Sequence, residues 1–245
     1  MQQQPVAIII AAMSEEVSAF ADLFGGVPVL DGPVGGHDPH QLLDIGGATV
    51  VVRRSGIGFT NATAAVAHGF HDFGPGIPVI SVGTAGGLMH GVAIGDVLVG
   101  DRYVNLNADA TAFGYALGQV PGMPTGYAPD ARLVELARGA DIAWPLRPAT
   151  IGSSEVFVTE GRACTLRVAF PEVAAVDMES AAIAQFAHVH DMPFVSVRCI
   201  SDLCAPDGAE FREHLDDAAG AQRAWSTTWC SACVPESAAR SLSAR

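Results

Sequence analysis

Three acidic sites in this chain have the residue types and spacing for acid/base chemistry. The stretch AVDMESAAIAQFA, residues 175–187, places Asp177 and Glu179 at the start of a predicted helix. A later apolar strand, FVSVRCI, is followed by Ser201-Asp202, and Glu16 follows the first apolar strand. Carboxyl groups in different surroundings can hold different protonation states, so that one donates a proton while another stays ionised. The pattern predicts an acid/base site for a neutral, hydroxyl-rich substrate.

Strands and helices alternate along most of the chain, and this alternation must position the acids. Continuous apolar runs at residues 5–12 and 78–82 are typical of strands covered on both faces. Alternating strands and helices predict one three-layer α/β domain over residues 1–233, with a frayed tail at residues 234–245. The other predicted strands are residues 42–45, 48–53, 97–104 and 194–200, together with one that ends at residues 150–153 and one that ends at Val176. The predicted helices are the one from Ser14 and those at residues 61–70, 129–138, 160–169, 179–190 and 211–233.

Five polar or glycine-rich segments follow predicted strands, at residues 14–16, 55–58, 83–87, 153–157 and 201–202. Ligands of open α/β sheets bind beyond the carboxyl ends of the strands, so we expect these segments to meet at one site. The glycines at positions 83, 86 and 87 let a ligand approach the backbone, although a tight turn uses glycines in the same way. Each acid alone also has a structural interpretation, as a helix N-terminal acid for Glu16 and Glu179 and as an N-cap for Asp202.

Composition argues against several classes of partner and cofactor. The net charge is −13 and the chain contains no lysine, which is a poor match for the phosphates of nucleic acids. The first apolar run lacks a basic flank and is too short to span a bilayer, which favours a cytoplasmic protein without membrane contact. We expect no metal and no cofactor, because the sequence has no metal-ligand set or nicotinamide fingerprint, and Cys230 and Cys233 are a lone pair. Arg198 lies inside an apolar strand and needs a carboxylate partner there.

The same segments, in this order, resemble the methylthioadenosine/S-adenosylhomocysteine nucleosidase branch of the nucleoside phosphorylase superfamily. The resemblance extends from residue 6 to about residue 203. It implies a mixed central sheet flanked by helices, a homodimer, and hydrolysis of the bond between adenine and ribose with water as the nucleophile. The stretches that carry it are AIIIAAMSEEV, SGIG, VGTAGGL, IGDVLV, DATAFGYALGQVPGMP, SSEVFV, FPEVAAVDMESAAIAQFA and PFVSVRCISD.

The resemblance also implies a role for each acid. Glu16 would be the base that activates water, and Asp202 would protonate adenine N7 as the general acid, with Ser201 placing it. Glu179 would hold the ribose 2′- and 3′-hydroxyls, with Met178 beneath the sugar. A ribosyl bond breaks through an oxocarbenium-like state, so the leaving base must be protonated while the carboxylates stabilise the cationic sugar.

Further residues are implied to bind the substrate. Phe157 would stack on adenine, and the backbone of Val158 would hydrogen-bond the edge of the base. Thr84 lies where the family usually has Ser, near the water and the sugar. The remaining implied substrate-binding residues are Met13, Ile57 and Phe211 in an apolar 5′ pocket, Pro121 reaching in from the partner subunit, and Ala85, Gly86 and Asp177.

Other functions stay open on the sequence alone. Superfamily phosphorylases carry arginines for phosphate, whereas no arginine precedes Arg53 in this chain. Arg53 and Arg54 are adjacent in a strand and face opposite ways, so one of them could turn inward. A glutamate in the nucleophile pocket would repel phosphate, which favours hydrolysis and leaves a phosphate-dependent phosphorylase as an alternative. Glu155 stands where the family usually has Asp, and Asp177 stands where many members have Glu. Another 5′-modified nucleoside, such as an aminofutalosine-type substrate, is therefore an alternative. A nucleoside-binding protein without turnover is the alternative from another class, and the joint presence of the three acids speaks against it.

Overall fold

The computed structural model describes residues 5–21, 40–45, 48–139, 146–205 and 211–214. Strands and helices alternate through most of these residues, and a short 3-10 turn, Thr111–Phe113, lies in the long segment before the third helix. The strands are β1 (Ala7–Ala11), β2 (His40–Ile45), β3 (Ala48–Arg54), β4 (Val79–Gly87), β5 (Val97–Asn105), β6 (Leu146–Ser153), β7 (Val173–Asp177) and β8 (Phe194–Asp202). The helices are α1 (Ser14–Ala21), α2 (Phe59–Phe73), α3 (Ala131–Arg138), α4 (Glu160–Ala169) and α5 (Ser180–Val189).

These strands form one mixed sheet in the order β2-β3-β1-β4-β7-β6-β5-β8. Strand β8 also pairs with β4, so β4, β7, β6, β5 and β8 close on themselves as a barrel. Strand β1 is parallel to β3 and β4, and β4 is parallel to β8. The carboxyl ends of these four strands therefore meet at one edge, where a ligand site is expected.

Helices cover both faces of the sheet because its central strands are apolar on both sides. Every residue of β1 is buried. Successive strand residues point to opposite faces. Accordingly, Ile8 and Ile10 belong to the same apolar cluster as Val66 of α2, whereas Ile9 clusters with Val17 of α1 and Leu133 of α3. The predicted three-layer α/β class is confirmed.

Two segments that were predicted to lie beyond strands are parts of strands. Strand β4 continues through the glycine-rich residues 83–87, so the tight-turn interpretation is wrong. Strand β8 continues through Asp202, so the interpretation of this residue as an N-cap is also wrong. The physical reason is that β4 and β8 pair with each other up to Gly86 and Asp202, which satisfies their backbone groups without a turn.

A β-bulge interrupts the β4–β8 pairing where both strands reach the site. Ala85 pairs with Ile200 and Gly86 pairs with Asp202, so Ser201 is an extra residue on β8. In a regular strand, adjacent side chains face opposite sides, and a bulge changes this alternation. The bulge explains how both Ser201 and Asp202 line the same cleft.

Several predictions fall outside the described residues. These are the helix beyond residue 214, the frayed tail at residues 234–245, and the pair Cys230 and Cys233. Among the residues that are described, no helix combines the length and apolar character needed to cross a membrane. The same residues contain no group of three His, Cys, Asp or Glu side chains arranged to hold a metal ion.

Candidate active site

A cleft that is partly open to solvent lies at the carboxyl ends of β1, β4 and β8. All but one of the predicted site residues line it. The lining residues are Ala12, Met13, Glu16, Ile57, Thr84, Ala85, Gly86, Val156, Phe157, Val158, Val176, Asp177, Met178, Glu179, Ser201, Asp202 and Phe211.

The sequence prediction differs from the lining of the cleft at four positions. It missed the apolar residues Ala12, Val156 and Val176, each of which directly adjoins a predicted site residue. Their position at strand ends and in the segment after β6 is the sequence feature that could have identified them. Pro121 lies in the long segment between β5 and α3, where it is exposed and does not line the cleft of its own chain. Its predicted place in the site of a partner subunit stays a prediction.

Glu16 is buried in the first turn of α1, directly after β1. Its Oε2 accepts hydrogen bonds from the backbone N–H groups of Ala12 at 2.9 Å and Met13 at 3.0 Å. Its Oε1 accepts from the backbone N–H of Thr84 at 3.0 Å, and the Thr84 hydroxyl lies 3.4 Å from the same oxygen. A Cβ on Gly83 would lie 2.7 Å from Oε1, so this glycine makes room for the carboxylate.

Opposing influences set the protonation of Glu16. Burial is the largest and raises the pKa of Glu16 above its ordinary value, because a buried charge loses its hydration. The charge of Arg198 and the N–H donors of Thr84, Met13 and Ala12 favour the ionised form and limit the rise. A carboxylate whose pKa lies nearer the working pH is a stronger base than an ordinary surface glutamate.

Arg198 is the buried counter-charge of the site. Its Nε donates to Asp177 Oδ2 at 2.8 Å, and its Nη2 donates to the Ser81 hydroxyl at 2.8 Å. The same Nη2 lies 3.8 Å from Glu179 Oε2. The prediction that Arg198 has a carboxylate partner is confirmed. One buried cation thus faces more than one carboxyl group, which holds negative charge in the site at a lower electrostatic cost.

The carboxylate of Asp177 accepts hydrogen bonds from several neighbouring residues. Besides Arg198, its carboxylate accepts from the hydroxyls of Ser153 and Ser180 and from the backbone N–H of Ser180. These donors come from β6, β8 and the first turn of α5. Any substrate contact of Asp177, which stays a prediction, must share these acceptor oxygens. The geometry favours a role in fixing Arg198 and the start of α5.

Glu179 follows Asp177 at the start of α5 and is buried. Its Oε1 accepts from the backbone N–H of Gly58 at 3.1 Å, which joins it to the segment before α2. Burial and the charge of Asp177 raise the pKa of Glu179 to about 8, whereas Arg198 acts in the opposite direction. A cation that formed beside Glu179 would favour its ionised state.

Replacing Glu179 by Gln should stabilise the unliganded protein at high pH. The pKa of Glu179 rises from 4.5 to about 8 in the fold, so its contribution to stability is complete below pH 4.5 and is lost as the pH rises through about 8. Glutamine stays neutral, so we expect the variant to melt about 2–8 °C above the unmodified protein at pH 9. The two should melt together near pH 4. An equal or lower melting temperature of the variant at pH 9, measured by calorimetry, would contradict this assignment.

Asp202 is buried at the end of β8, and its two carboxylate oxygens have different donors. Oδ2 accepts from the Ser201 hydroxyl at 2.9 Å, and Oδ1 accepts from the backbone N–H of Cys204 at 2.9 Å. A Cβ on Gly86 would lie 3.1 Å from Oδ1 and 2.9 Å from the Cys204 sulfur, so Gly86 makes room for both. Asp202 is therefore fixed in orientation at the cleft.

Apolar and aromatic side chains form the more exposed part of the cleft. Phe157 is 44% exposed and its ring meets that of Phe211 edge to face, with centroids 5.6 Å apart. Ile57 and Val156 are 50% and 49% exposed. Large exposed apolar side chains that line a cleft are typical of a binding surface for a planar or apolar ligand group.

The described lining of the cleft contains no arginine. Arg53 is buried and pairs with Asp72, with 2.5 Å between Nη2 and Oδ2. Arg54 donates to the Ser14 hydroxyl at 2.6 Å. Both arginines near the segment after β3 are thus engaged by other protein groups. The cleft presents carboxyl groups, hydroxyls and apolar surface, which suits a neutral ligand better than an anionic one.

Comparison with known sequences agrees with this geometry. The sequence model of the phosphorylase superfamily matches residues 6–228. A 5′-methylthioadenosine/S-adenosylhomocysteine nucleosidase of Anoxybacillus flavithermus is 38% identical over 182 residues, which cover 71% of this chain and 76% of that protein. The nucleosidase of the same description from Staphylococcus saprophyticus is 34% identical over 215 residues, which cover 86% of this chain and 92% of the relative.

Solved structures give the same result. The nucleosidase of Neisseria meningitidis in complex with methylthio-immucillin-A has a TM-score of 0.84 and 33% identity, over 92% of this chain and 98% of that one. The nucleosidase of Colwellia psychrerythraea in complex with adenine has a TM-score of 0.82 and 29% identity, over 94% and 96% of the two chains. The cleft with its three acids, the sequence relatives and the shared fold together show that the chain belongs to the 5′-methylthioadenosine/S-adenosylhomocysteine nucleosidase family of the phosphorylase superfamily.

Proposed function

We propose that this protein hydrolyses the N-glycosidic bond of 5′-methylthioadenosine and S-adenosylhomocysteine, releasing adenine and the 5-thioribose product. The observation that carries the proposal is the meeting of Glu16, Glu179 and Asp202 at one cleft, in a chain of the nucleosidase family. Solved relatives include complexes with adenine and with a transition-state inhibitor, which supports a purine nucleoside as the ligand.

Asp202 is the general acid of the proposed mechanism. It delivers a proton to adenine N7 as the bond between C1′ and N9 breaks, so that the electron pair of that bond leaves on a neutral base. The Ser201 hydroxyl and the Cys204 N–H hold its two oxygens and fix the direction of the proton transfer. The Phe157 ring stacks on the adenine, and the Val158 backbone hydrogen-bonds its edge.

Glu16 is the base, and Glu179 binds the sugar. As C1′ becomes cationic, a water molecule attacks it and gives a proton to Glu16, and the oxygen of that water becomes the anomeric hydroxyl. Glu179 accepts hydrogen bonds from the ribose 2′- and 3′-hydroxyls above Met178. The negative charges of both carboxylates stabilise the cationic sugar as it forms. By analogy, two-carboxylate glycosidases use one carboxyl group as the general acid and the other as the base or the nucleophile.

Water is favoured over phosphate as the nucleophile by the charge of the cleft. In the proposed mechanism Glu16 lies beside the nucleophile, and its carboxylate would repel an attacking phosphate. Arg53 and Arg54 have other partners, and the described lining contains no arginine. Thr84, with its hydroxyl 3.4 Å from Glu16 Oε1, is placed to hold the water near the base.

The 5′ substituent should meet the apolar side of the cleft. Met13, Ile57 and Phe211 line that side, and none of them carries a charge. A thioether buries apolar area there, whereas the 5′-hydroxyl of adenosine loses its hydration without a partner. We therefore expect methylthioadenosine to have a kcat/KM about tenfold to a hundredfold above that of adenosine.

The test is adenine release from methylthioadenosine, S-adenosylhomocysteine, adenosine and an aminofutalosine-type nucleoside. Release from the two thioethers, faster than from adenosine, supports the proposal. Release from the aminofutalosine-type nucleoside alone would assign a different 5′ specificity to the same chemistry. If no substrate released adenine while calorimetry detected nucleoside binding, the protein would be a binder instead of an enzyme.

The same proposal includes one domain over residues 1–233, a homodimer, a cytoplasmic location and a place in methionine salvage. The long segment between β5 and α3 supports the dimer, because Phe113 is 84% exposed there and Leu117 is 40% exposed, near Pro121. Exposed apolar side chains on one segment are typical of a protein interface. Sedimentation velocity should give the mass of a dimer at micromolar concentration. A monomer there would contradict this part.

A further inference from the structure

Two segments that line the cleft come from distant parts of the chain. The base lip, residues 155–158, carries the Phe157 ring and the Val158 backbone. The sugar lip, residues 55–59, carries Ile57 and the Gly58 N–H that holds Glu179. In the proposed function, the base lip binds adenine and the sugar lip borders the ribose and the 5′ group. The distance between the lips must match the length of the nucleoside.

The side chain of Glu155 joins the two lips. Its Oε1 accepts a hydrogen bond from the backbone N–H of Phe59 at 2.6 Å, across 96 positions of sequence. Its Oε2 would lie 2.9 Å from a Cβ on Gly58, whose φ is 98°. The carboxylate therefore rests directly on the backbone of the sugar lip, at a position where glycine is required both by the close approach and by the positive φ.

Both ends of this connection are anchored. The backbone N–H of Glu155 donates to Asn107 Oδ1 at 2.7 Å, which fixes the base lip to the segment after β5. On the other side, the backbone N–H groups of Ser55 and Gly56 donate to Ala11 and Ala12 at the end of β1. A hydrogen bond between two anchored segments sets their spacing more firmly than a bond between two mobile ones.

Glu155 also serves as the cap of α2. Gly58 is the N-cap residue and has no side chain that could accept from the first N–H groups of the helix. Glu155 supplies a carboxylate at this end, where negative charge is favoured. Adjacent backbone N–H groups, those of Gly58 and Phe59, thus hold Glu179 and Glu155 respectively. A cap alone would affect stability, whereas a connection between lips would also affect binding.

We propose that Glu155 is a positioning residue that fixes the spacing of the base lip and the sugar lip, so that the cleft favours ligands that span both. This inference rests on the proposed function for the identity of the spanning ligand. A nucleoside that contacts both lips gains affinity when their spacing is fixed before binding. Adenine alone contacts only the base lip and gains nothing from the spacing.

The experiment compares a spanning ligand with a fragment in Glu155→Ala. We expect the KM for methylthioadenosine to rise about tenfold, with kcat changed less than about threefold, because binding and not the reacting groups is disturbed. The dissociation constant of adenine, measured by calorimetry, should change less than about twofold. Glu155→Gln keeps an acceptor oxygen without the charge, so its KM should rise by a smaller factor.

The matched control is Asp130→Ala. Asp130 is the N-cap of α3, where its side chain accepts from the Leu133 N–H at 3.0 Å, and it does not line the cleft. Losing this cap should lower the melting temperature to a similar degree as Glu155→Ala and leave KM unchanged. Circular dichroism would establish that each variant is folded.

Two results would overturn the inference. The first is an unchanged KM in both Glu155 variants, which would reduce Glu155 to a helix cap. The second is an equal loss of affinity for adenine and for the nucleoside, which would mean local damage to the base lip. A failure of the proposed function would appear separately, as unmodified protein that releases no adenine. The same comparison of adenine with intact nucleoside would then be made by calorimetry alone.

Discussion

Replacing Asp202 by Asn is expected to slow adenine release about a thousandfold, the largest effect of any single substitution in the cleft. Asparagine fills the same space between the Ser201 hydroxyl and the Cys204 N–H, but it cannot deliver a proton to the leaving base. The affinity for the nucleoside should be largely kept. The measurement is single-turnover adenine release together with calorimetric titration of the same preparation.

The control for this substitution is Asp191→Asn. Asp191 is an exposed aspartate at a φ of 52°, a backbone region that asparagine tolerates well, and it lies outside the cleft. This variant should release adenine at the unmodified rate. If Asp202→Asn kept more than about a tenth of the activity, another group would have to protonate the base, because general acids contribute roughly a hundredfold or more.

Replacing Glu16 by Gln is expected to lower kcat about a hundredfold to a thousandfold, because the amide cannot take the proton of the attacking water. In the unmodified enzyme, kcat/KM should fall as the pH drops through the pKa of Glu16, since the protonated carboxyl is no base. Burial raises that pKa, so the fall should begin at a higher pH than an ordinary glutamate would give. This acid-side fall is measured as a pH–rate profile.

Glu15→Gln is the matched control, because Glu15 is an exposed acid in the same first turn of α1. Its loss removes the same helix–dipole interaction and the same unit of charge without touching the cleft. It should keep the unmodified rate and the same pH profile. A comparable loss in both variants would place the effect in the helix and not in base catalysis.

The acids of the cleft could be predicted from sequence because each follows an apolar run. Glu16 follows β1, and Asp202 ends β8, so local patterns alone place them at strand ends. The parallel arrangement of β1, β4 and β8 then brings those ends together. The need of buried Arg198 for a carboxylate was predictable from charge, whereas its choice of Asp177 depends on the packing of β7 against its neighbours.

Other features depend on contacts that sequence patterns do not encode. The barrel closes through pairings of β4 with both β7 and β8, which are remote from it in the chain. The bulge at Ser201 comes from that pairing and not from a local signal. The contact of Glu155 with Phe59 is of the same kind, since an exposed glutamate gives no indication of its partner. The glycines at positions 83, 86 and 87 were ambiguous because a strand beside a carboxylate and a tight turn both require glycine.

The most direct test of the central claim, that water attacks the sugar, is the identity of the sugar product formed from methylthioadenosine at saturating phosphate. The arrangement of Glu16, Glu179 and Asp202 predicts free 5-methylthioribose, with a rate of adenine release that is the same with and without phosphate. Formation of 5-methylthioribose 1-phosphate, with adenine released only when phosphate is present, would contradict it and would make the protein a phosphorylase.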